Sequence, residues 1–139
     1  MPGLTLDIAR QCVDRAMGRA KQEFRRPICV AVCDPQGFLL AFARMEAAPL
    51  RSIQISQSKA YTAVRMGVST DAVLARLKKE GIEIGYFCDP LFTALPGGSV
   101  LKDASGTIIG AIGVSGLTSA EDQLITDFIA EFVLSDSKP

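Results

Sequence analysis

The sequence predicts an α+β fold: a five-stranded, largely antiparallel sheet with helices on both faces, a three-layer α/β/α sandwich. Three observations carry that expectation. Apolar residues recur at helical spacing at both ends of the chain and in its middle. β-rich runs joined by turns of Asp, Pro and Gly lie between them. The resulting order, helix, two strands, two helices, three strands, helix, lacks the strict alternation that builds a parallel sheet.

Leu6, Ala9, Cys12, Val13, Ala16, Met17, Ala20 and Phe24 form the apolar stripe of a first helix, with Thr5 as N-cap and Arg26-Pro27 as its end. Ile28 to Cys33 and Phe38 to Arg44 are strands joined by Asp34-Pro35-Gln36-Gly37, where proline and glycine fall as a type I turn prefers them. Leu50 to about Met66 is helical, and Ser69 or Thr70 caps a short helix ending at Gly81. A brief strand from Phe92, the turn Leu95-Pro96-Gly97-Gly98, a strand at Val100 to Lys102, the turn Asp103 to Gly106 and a strand ending at Gly116 follow. Thr118 with Glu121 makes a capping box that opens the last helix, whose stripe is Leu124, Ile125, Phe128, Ile129, Phe132 and Val133. This layout is that of profilin-like and PAS-like domains, an analogy of fold alone.

In the last strand, Gly110-Ala111-Ile112-Gly113-Val114-Ser115-Gly116, bulky and small side chains alternate, so one face is almost bare. Glycine is kept inside a strand where a backbone, a helix or a ligand comes near, so the bare face marks tight packing or a binding surface.

With 139 residues, 48% hydrophobic content and no tryptophan, the chain fits one domain spanning 1–139 with a single core. Fifteen basic residues balance fifteen acidic ones, which gives no field to attract nucleic acid or an anionic membrane. Met1 to Thr5 lacks the features of a secretory signal, and no apolar run approaches the ~20 residues of a membrane span, so a cytoplasmic location is expected. The four cysteines, Cys12, Cys29, Cys33 and Cys88, show no CxxC pair and read as reduced thiols, with no metal site.

The chain has no histidine. Ser/His/Asp and Cys/His nucleophiles and His-rich zinc or iron sites are thereby excluded. Glycine spacing in 106–116 fits neither GxGxxG nor a P-loop. On the middle helix, Leu50, Ile53, Ala60, Tyr61 and Val64 form a stripe expected to face the sheet, while Ser52, Ile55, Ser56, Lys59, Thr62 and Met66 form a second patch expected to meet another subunit.

The run Asp34-Pro35-Gln36-Gly37, the segment Ala41 to Glu46, Ser52-Ile53 with Ser58-Lys59-Ala60-Tyr61-Thr62-Ala63, Leu95-Pro96-Gly97-Gly98 and Gly110 to Gly116 follow one another in the order seen in the GlcG/HbpS-like family. The chain resembles that family, which includes the C-terminal domain of PduO-type corrinoid adenosyltransferases, over nearly its whole length. The resemblance implies the same sandwich, a symmetric homo-oligomer built from dimers and, for some members, binding of haem or a related tetrapyrrole, which here would proceed without histidine ligation.

Arg44, Ser52, Ser56, Lys59, the turn Pro96-Gly97-Gly98, and the bare face at Gly113 and Ser115 are expected to converge on one cleft near a subunit boundary. Lys59 and Arg44 supply charge for a carboxylate or propionate, and Gly97 and Gly98 free backbone N–H groups, so the expected ligand is a small acidic or amphiphilic molecule. With no catalytic dyad, the sequence favours a non-catalytic ligand-binding or accessory protein beside a metabolic enzyme. The alternative is a small cofactor-independent enzyme, an isomerase or hydrolase that acts on an acidic metabolite through Lys59.

Overall fold

In the computed structural model, which describes residues 3–137, helix α1 spans Leu6–Arg19 and opens where the Thr5 hydroxyl accepts the Ile8 N–H at 3.1 Å. Met1, Pro2, Lys138 and Pro139, part of the expected single unit, lie outside the described residues. α1 runs into a wider π-helical turn, Ala20–Phe24, and stops at Arg25, whose φ of 53° is left-handed. Strands β1 (Cys29–Cys33) and β2 (Leu39–Arg44) flank the expected turn, closed by the Gly37 N–H donating to the Asp34 carbonyl at 3.0 Å. Asp34 Oδ1 also accepts the N–H groups of Gln36 and Phe38. Asp103 repeats this device in the second hairpin, its Oδ1 accepting from Ser105 and Thr107 between β3 (Gly98–Lys102) and β4 (Ile108–Ser115).

Between the hairpins stand α2 (Ser52–Met66), closed by left-handed Gly67, and α3 (Thr70–Glu80), closed by left-handed Gly81. A 3₁₀ turn follows at Ile84–Phe87. The final helix α4 (Ser119–Asp136) carries the expected capping box between Thr118 and Glu121.

The described residues form one antiparallel sheet of four strands, ordered β2-β1-β4-β3, and not five. The brief strand expected from Phe92 is a loop because its donors are taken by partners other than a neighbouring strand. The N–H of Phe92 goes to the Asp89 carbonyl, that of Thr93 to Thr62 Oγ1 on α2 at 2.9 Å, and that of Leu95 to Thr93 Oγ1.

Alternation along the central strands sorts their side chains into two clusters. Val30, Val32, Ile112 and Val114 pack with Ala9, Cys12, Ala16, Ile125 and Ile129 from α1 and α4. Ala31, Cys33 and Ala111 point the other way, toward α2; Cys33 and Ala111 pack there with Ala60, Ala63 and Val64. Each large aliphatic side chain in the first cluster contributes roughly 1.5–3 kcal/mol by leaving water. No helix among the described residues is long and apolar enough to cross a membrane.

Candidate functional site

The bare face of β4 is filled by α2. A Cβ on Gly113 would run into the Ser56 carbonyl oxygen and lie 2.7 Å from the Ala60 nitrogen, so glycine there lets the helix backbone rest almost on the strand. Small residues, Ser52, Ser56, Ala60 and Ala63, are buried on this helix together with Lys59, Thr62 and Val64. The face of α2 expected to meet a subunit, Ser52, Ser56, Lys59 and Thr62, is therefore the face turned inward; Leu50, expected against the sheet, is 72% exposed. Ile55 and Met66 are half-buried. Ala60 and Val64 pack against the sheet as expected; hydropathy misplaced Ser52, Ser56, Lys59 and Thr62, because the close approach at Gly113 admits short polar side chains and the three glycines around Lys59 leave room for its amine.

Each inward polar group has a partner. Ser115 Oγ donates to Ser52 Oγ at 3.0 Å, and Ser56 Oγ to the Ile53 carbonyl. Lys59, 1% exposed, donates from Nζ to the Val114 carbonyl at 2.8 Å and to Asp122 Oδ2 at 3.0 Å. Asp122, in the first turn of α4, also accepts the Leu117 N–H. Burial is the largest influence on both groups: it pushes the ammonium below its ordinary value and the carboxyl above its own, each partly opposed by the partner's charge.

Three glycines shape the slot that Lys59 occupies. A Cβ on Gly97, Gly98 or Gly113 would meet, respectively, its Nζ, its carbonyl oxygen or its Cβ. The N–H groups of Gly97 and Gly98 face no open anion site; they donate to Gln123 Oε1 at 2.6 Å and Thr70 Oγ1 at 2.9 Å. Ser52, Ser56, Lys59, Gly97, Gly98, Gly113 and Ser115 are thus brought together as a closed polar knot joining α2, the sheet and α4. Arg44 and Pro96 stand apart. Arg44 is exposed at the end of β2, level with Cys29 and Ser115 across the sheet, and Pro96 edges a shallow hollow with Asp71, Ser119 and Leu124.

Open space lies instead along the other side of α2. A groove of about 150 Å³ has Ala31 and Cys33 of β1 as its floor. Phe38 and Leu39 form one wall, and Gln54, Gln57, Ser58, Ala60 and Tyr61 of α2 the other, with Leu91 at the rim. Phe38 is 68% and Leu39 50% exposed, so the apolar surface continues outside the groove. Tyr61 is its best-anchored polar member. The phenol donates to Asp89 Oδ2 at 2.7 Å, the Arg65 guanidinium lies 4.8 Å above the ring, Phe92 packs 5.8 Å away, and a Cβ on Gly37 would sit 2.9 Å from a ring carbon. The sequence reading missed Phe38, Leu39 and Leu91; the signal available was a pair of large apolar residues straight after a tight turn on a strand that pairs on one side only.

Donor chemistry limits what the groove can hold. Among the described residues no cluster of three or more His, Cys, Asp or Glu is placed to bind a metal ion. Burial pushes the Cys33 thiol up to about 12, which makes it a poor thiolate ligand. A groove this small, against the ~300–1,000 Å³ of usual ligand pockets, suits a flat macrocycle only if the molecule lies partly across the mouth, on Phe38 and Leu39.

Comparison with known proteins agrees with this architecture. The chain is 32% identical over 128 residues to an uncharacterized 15.0 kDa protein from the dhaT-dhaS intergenic region of Citrobacter freundii, covering 89% of this chain and 87% of that one. It is 39% identical over 95 residues to protein GlcG of Escherichia coli K12, a match spanning 63% of each chain. A crystal structure of a double mutant of HbpS from Streptomyces reticuli superposes with a TM-score of 0.84 at 27% identity, covering 96% of this chain and 88% of that one. The PduOC:heme complex superposes with a TM-score of 0.83 at 26% identity, covering 94% of each. A family model for haem degrading protein HbpS-like matches residues 4–129, and the chain belongs to this HbpS-like family.

Proposed function

We propose that this chain is a non-catalytic small-ligand-binding or accessory protein that takes haem or a related tetrapyrrole, without histidine ligation, beside a metabolic enzyme in the cytoplasm. The observation that carries the reading is the groove between α2 and β2: apolar floor and walls, an open mouth flanked by exposed Phe38 and Leu39, and one anchored oxygen donor. Membership of a family named for haem, and the likeness to a protein solved with heme, support the ligand class. Exposed apolar side chains beside a half-open groove also support assembly into a homo-oligomer built from dimers, since a second copy would finish covering a ligand that one groove leaves partly wet.

Within this reading the domain is a three-layer sandwich, supported by the two separate apolar clusters. Its closed polar knot, Ser52, Ser56, Lys59, Gly97, Gly98, Gly113 and Ser115, fixes the depth at which α2 sits and so the width of the groove. Arg44, exposed on β2, is the cation offered to a ligand carboxylate, and Pro96 holds the turn that seats Gly97. The Lys59 enzyme reading is less well supported, because the amine is spent on Val114 and Asp122 and the side chain is almost wholly out of water.

Titration with hemin and with metal-free protoporphyrin tests the proposal. A Soret band distinct from free hemin, weakened ~10-fold or more by Leu39→Glu, is expected. No saturable change with either porphyrin, or binding indifferent to Leu39→Glu, would overturn it.

A further inference from the structure

We infer that β2 is the edge along which two copies of this chain join, each β2 pairing antiparallel with the other about a twofold axis so that two four-stranded sheets become one; this deepens, and rests on, the homo-oligomer proposed above. β2 lies at one edge of the sheet and pairs on one side only, with β1. Its residues, Leu39 to Arg44, include no proline and no charge before the last, and none of them is buried. Edge strands that stay single are blunted by charge, proline, a bulge or a covering element, and an apolar edge without them is a template for another strand. The bulge in β2 falls at its start, opposite Val32 and Cys33, and leaves Ala41 to Arg44 in regular register. The other edge, β3, is mostly buried, and the N–H of its first residue, Gly98, is taken by Thr70 Oγ1.

Charge identifies the occupant as a second copy. On the face of the sheet that carries α1, a hollow of about 410 Å³ runs beside β2, between Leu40 and Ala41 of the strand and Leu6, Arg10 and Asp14 of the helix. Arg10 and Asp14 stand about one helical turn apart, both exposed, and neither has an ion-pair partner among the described residues. A twofold axis perpendicular to the sheet keeps both α1 helices on one face and sets them antiparallel, side by side across the joined strands. With the axis between residues 10 and 14, Arg10 meets Asp14 of the second copy, and Asp14 meets its Arg10. One patch thus carries both halves of the complement, as a twofold contact requires. On the opposite face, Leu39 and Phe42, in register with Cys33 and Ala31, come against the partner strand, which covers part of the apolar surface at the mouth of the groove.

Sedimentation equilibrium and hydrogen exchange on the whole chain test this. The wild type should sediment as a dimer or a multiple of one, and the β2 amide protons that point away from β1 should be protected in the assembly. Arg10→Asp or Asp14→Arg alone sets like charges opposite each other at both symmetry-related contacts. Each should weaken the dimer ~10-fold or more, with faster exchange in Leu39 to Arg44. The double variant Arg10→Asp/Asp14→Arg restores unlike pairs and should recover both readouts. Both side chains are exposed, so the variants should keep the fold, which circular dichroism checks. A monomeric wild type, an assembly whose β2 amides exchange freely, single reversals without effect, or a double variant as weak as the singles overturns the inference. Porphyrin binding alongside any of those results leaves the groove reading standing. Assembly as expected with neither hemin nor protoporphyrin bound removes the groove reading and leaves the interface.

Discussion

Lys59 of α2 and Asp122 of α4 form an ion pair of 3.0 Å with both side chains almost wholly out of water. They sit on helices that pack chiefly against opposite faces of the sheet, and the lysine reaches across where three glycines leave room. Such a pair contributes little net stability over an apolar pair of similar volume, but leaving one charge unpartnered costs about 3–5 kcal/mol. Lys59→Met and Asp122→Leu singly should each lower the unfolding free energy by that amount, read from the shifted urea midpoint and the slope of the transition. The double variant Lys59→Met/Asp122→Leu should recover most of it. Additive losses in the double variant would show that the two residues do not act as a pair.

Gly113 sets the depth of α2. Alanine there must push the helix away from β4, because the atom met is backbone and cannot swing aside. Gly113→Ala should cost at least the ~1–3 kcal/mol of an overpacked core, read as a lowered midpoint in urea. Gly106→Ala, in an open turn with nothing within 4 Å of the added carbon, separates backbone strain at positive φ from overpacking. Gly113→Ala no more destabilising than Gly106→Ala would count against the close approach.

Local chemistry made most of the fold legible. Thr5, the Asp34 and Asp103 turns, Gly67, Gly81 and the Thr118–Glu121 box each act within a few residues, and each element they bound lies where the sequence put it. The fifth strand failed because the acceptor for Thr93 is Thr62, 31 residues away, and no local pattern announces it. The grouping around Lys59 was legible from its small neighbours, but its accessibility was not. Whether a glycine-bared face admits a ligand or a helix depends on the path of the chain between Met45 and Ser52, which sequence spacing does not specify.

Thiol reactivity checks the burial pattern independently. Cys12, Cys29 and Cys33 are buried and Cys88 is exposed; burial raises the first three above the ordinary thiol range, Cys12 and Cys33 to about 12. An aromatic disulfide reagent at pH 8 should label one thiol per native chain quickly and all four in denaturant. Cys88→Ser should remove the fast phase. Rapid labelling of a second thiol would mean that α1, which carries Cys12, or β1, which carries Cys29 and Cys33, is not sealed as the packing requires.

The Tyr61–Asp89 hydrogen bond makes a prediction free of any ligand. The bond holds the phenol above its ordinary 10.0 and the carboxyl below its ordinary 3.8, because each partner is favoured in the form that keeps the contact. The folded phenol value is the raised one, so the contribution is complete below 10.0 and is lost as pH rises through the higher folded value. The folded carboxyl value is the depressed one, so its contribution is complete above 3.8 and is lost as pH falls through the lower value. The contact should therefore stand across the whole neutral range. In Tyr86→Phe, which leaves Tyr61 as the chain's single tyrosine, alkaline absorbance titration should give a midpoint above 10.0. Adding Asp89→Ala should bring it down. A midpoint at or below 10.0 in the first variant, or no change on removing Asp89, would show that the phenol is not held as the structure has it.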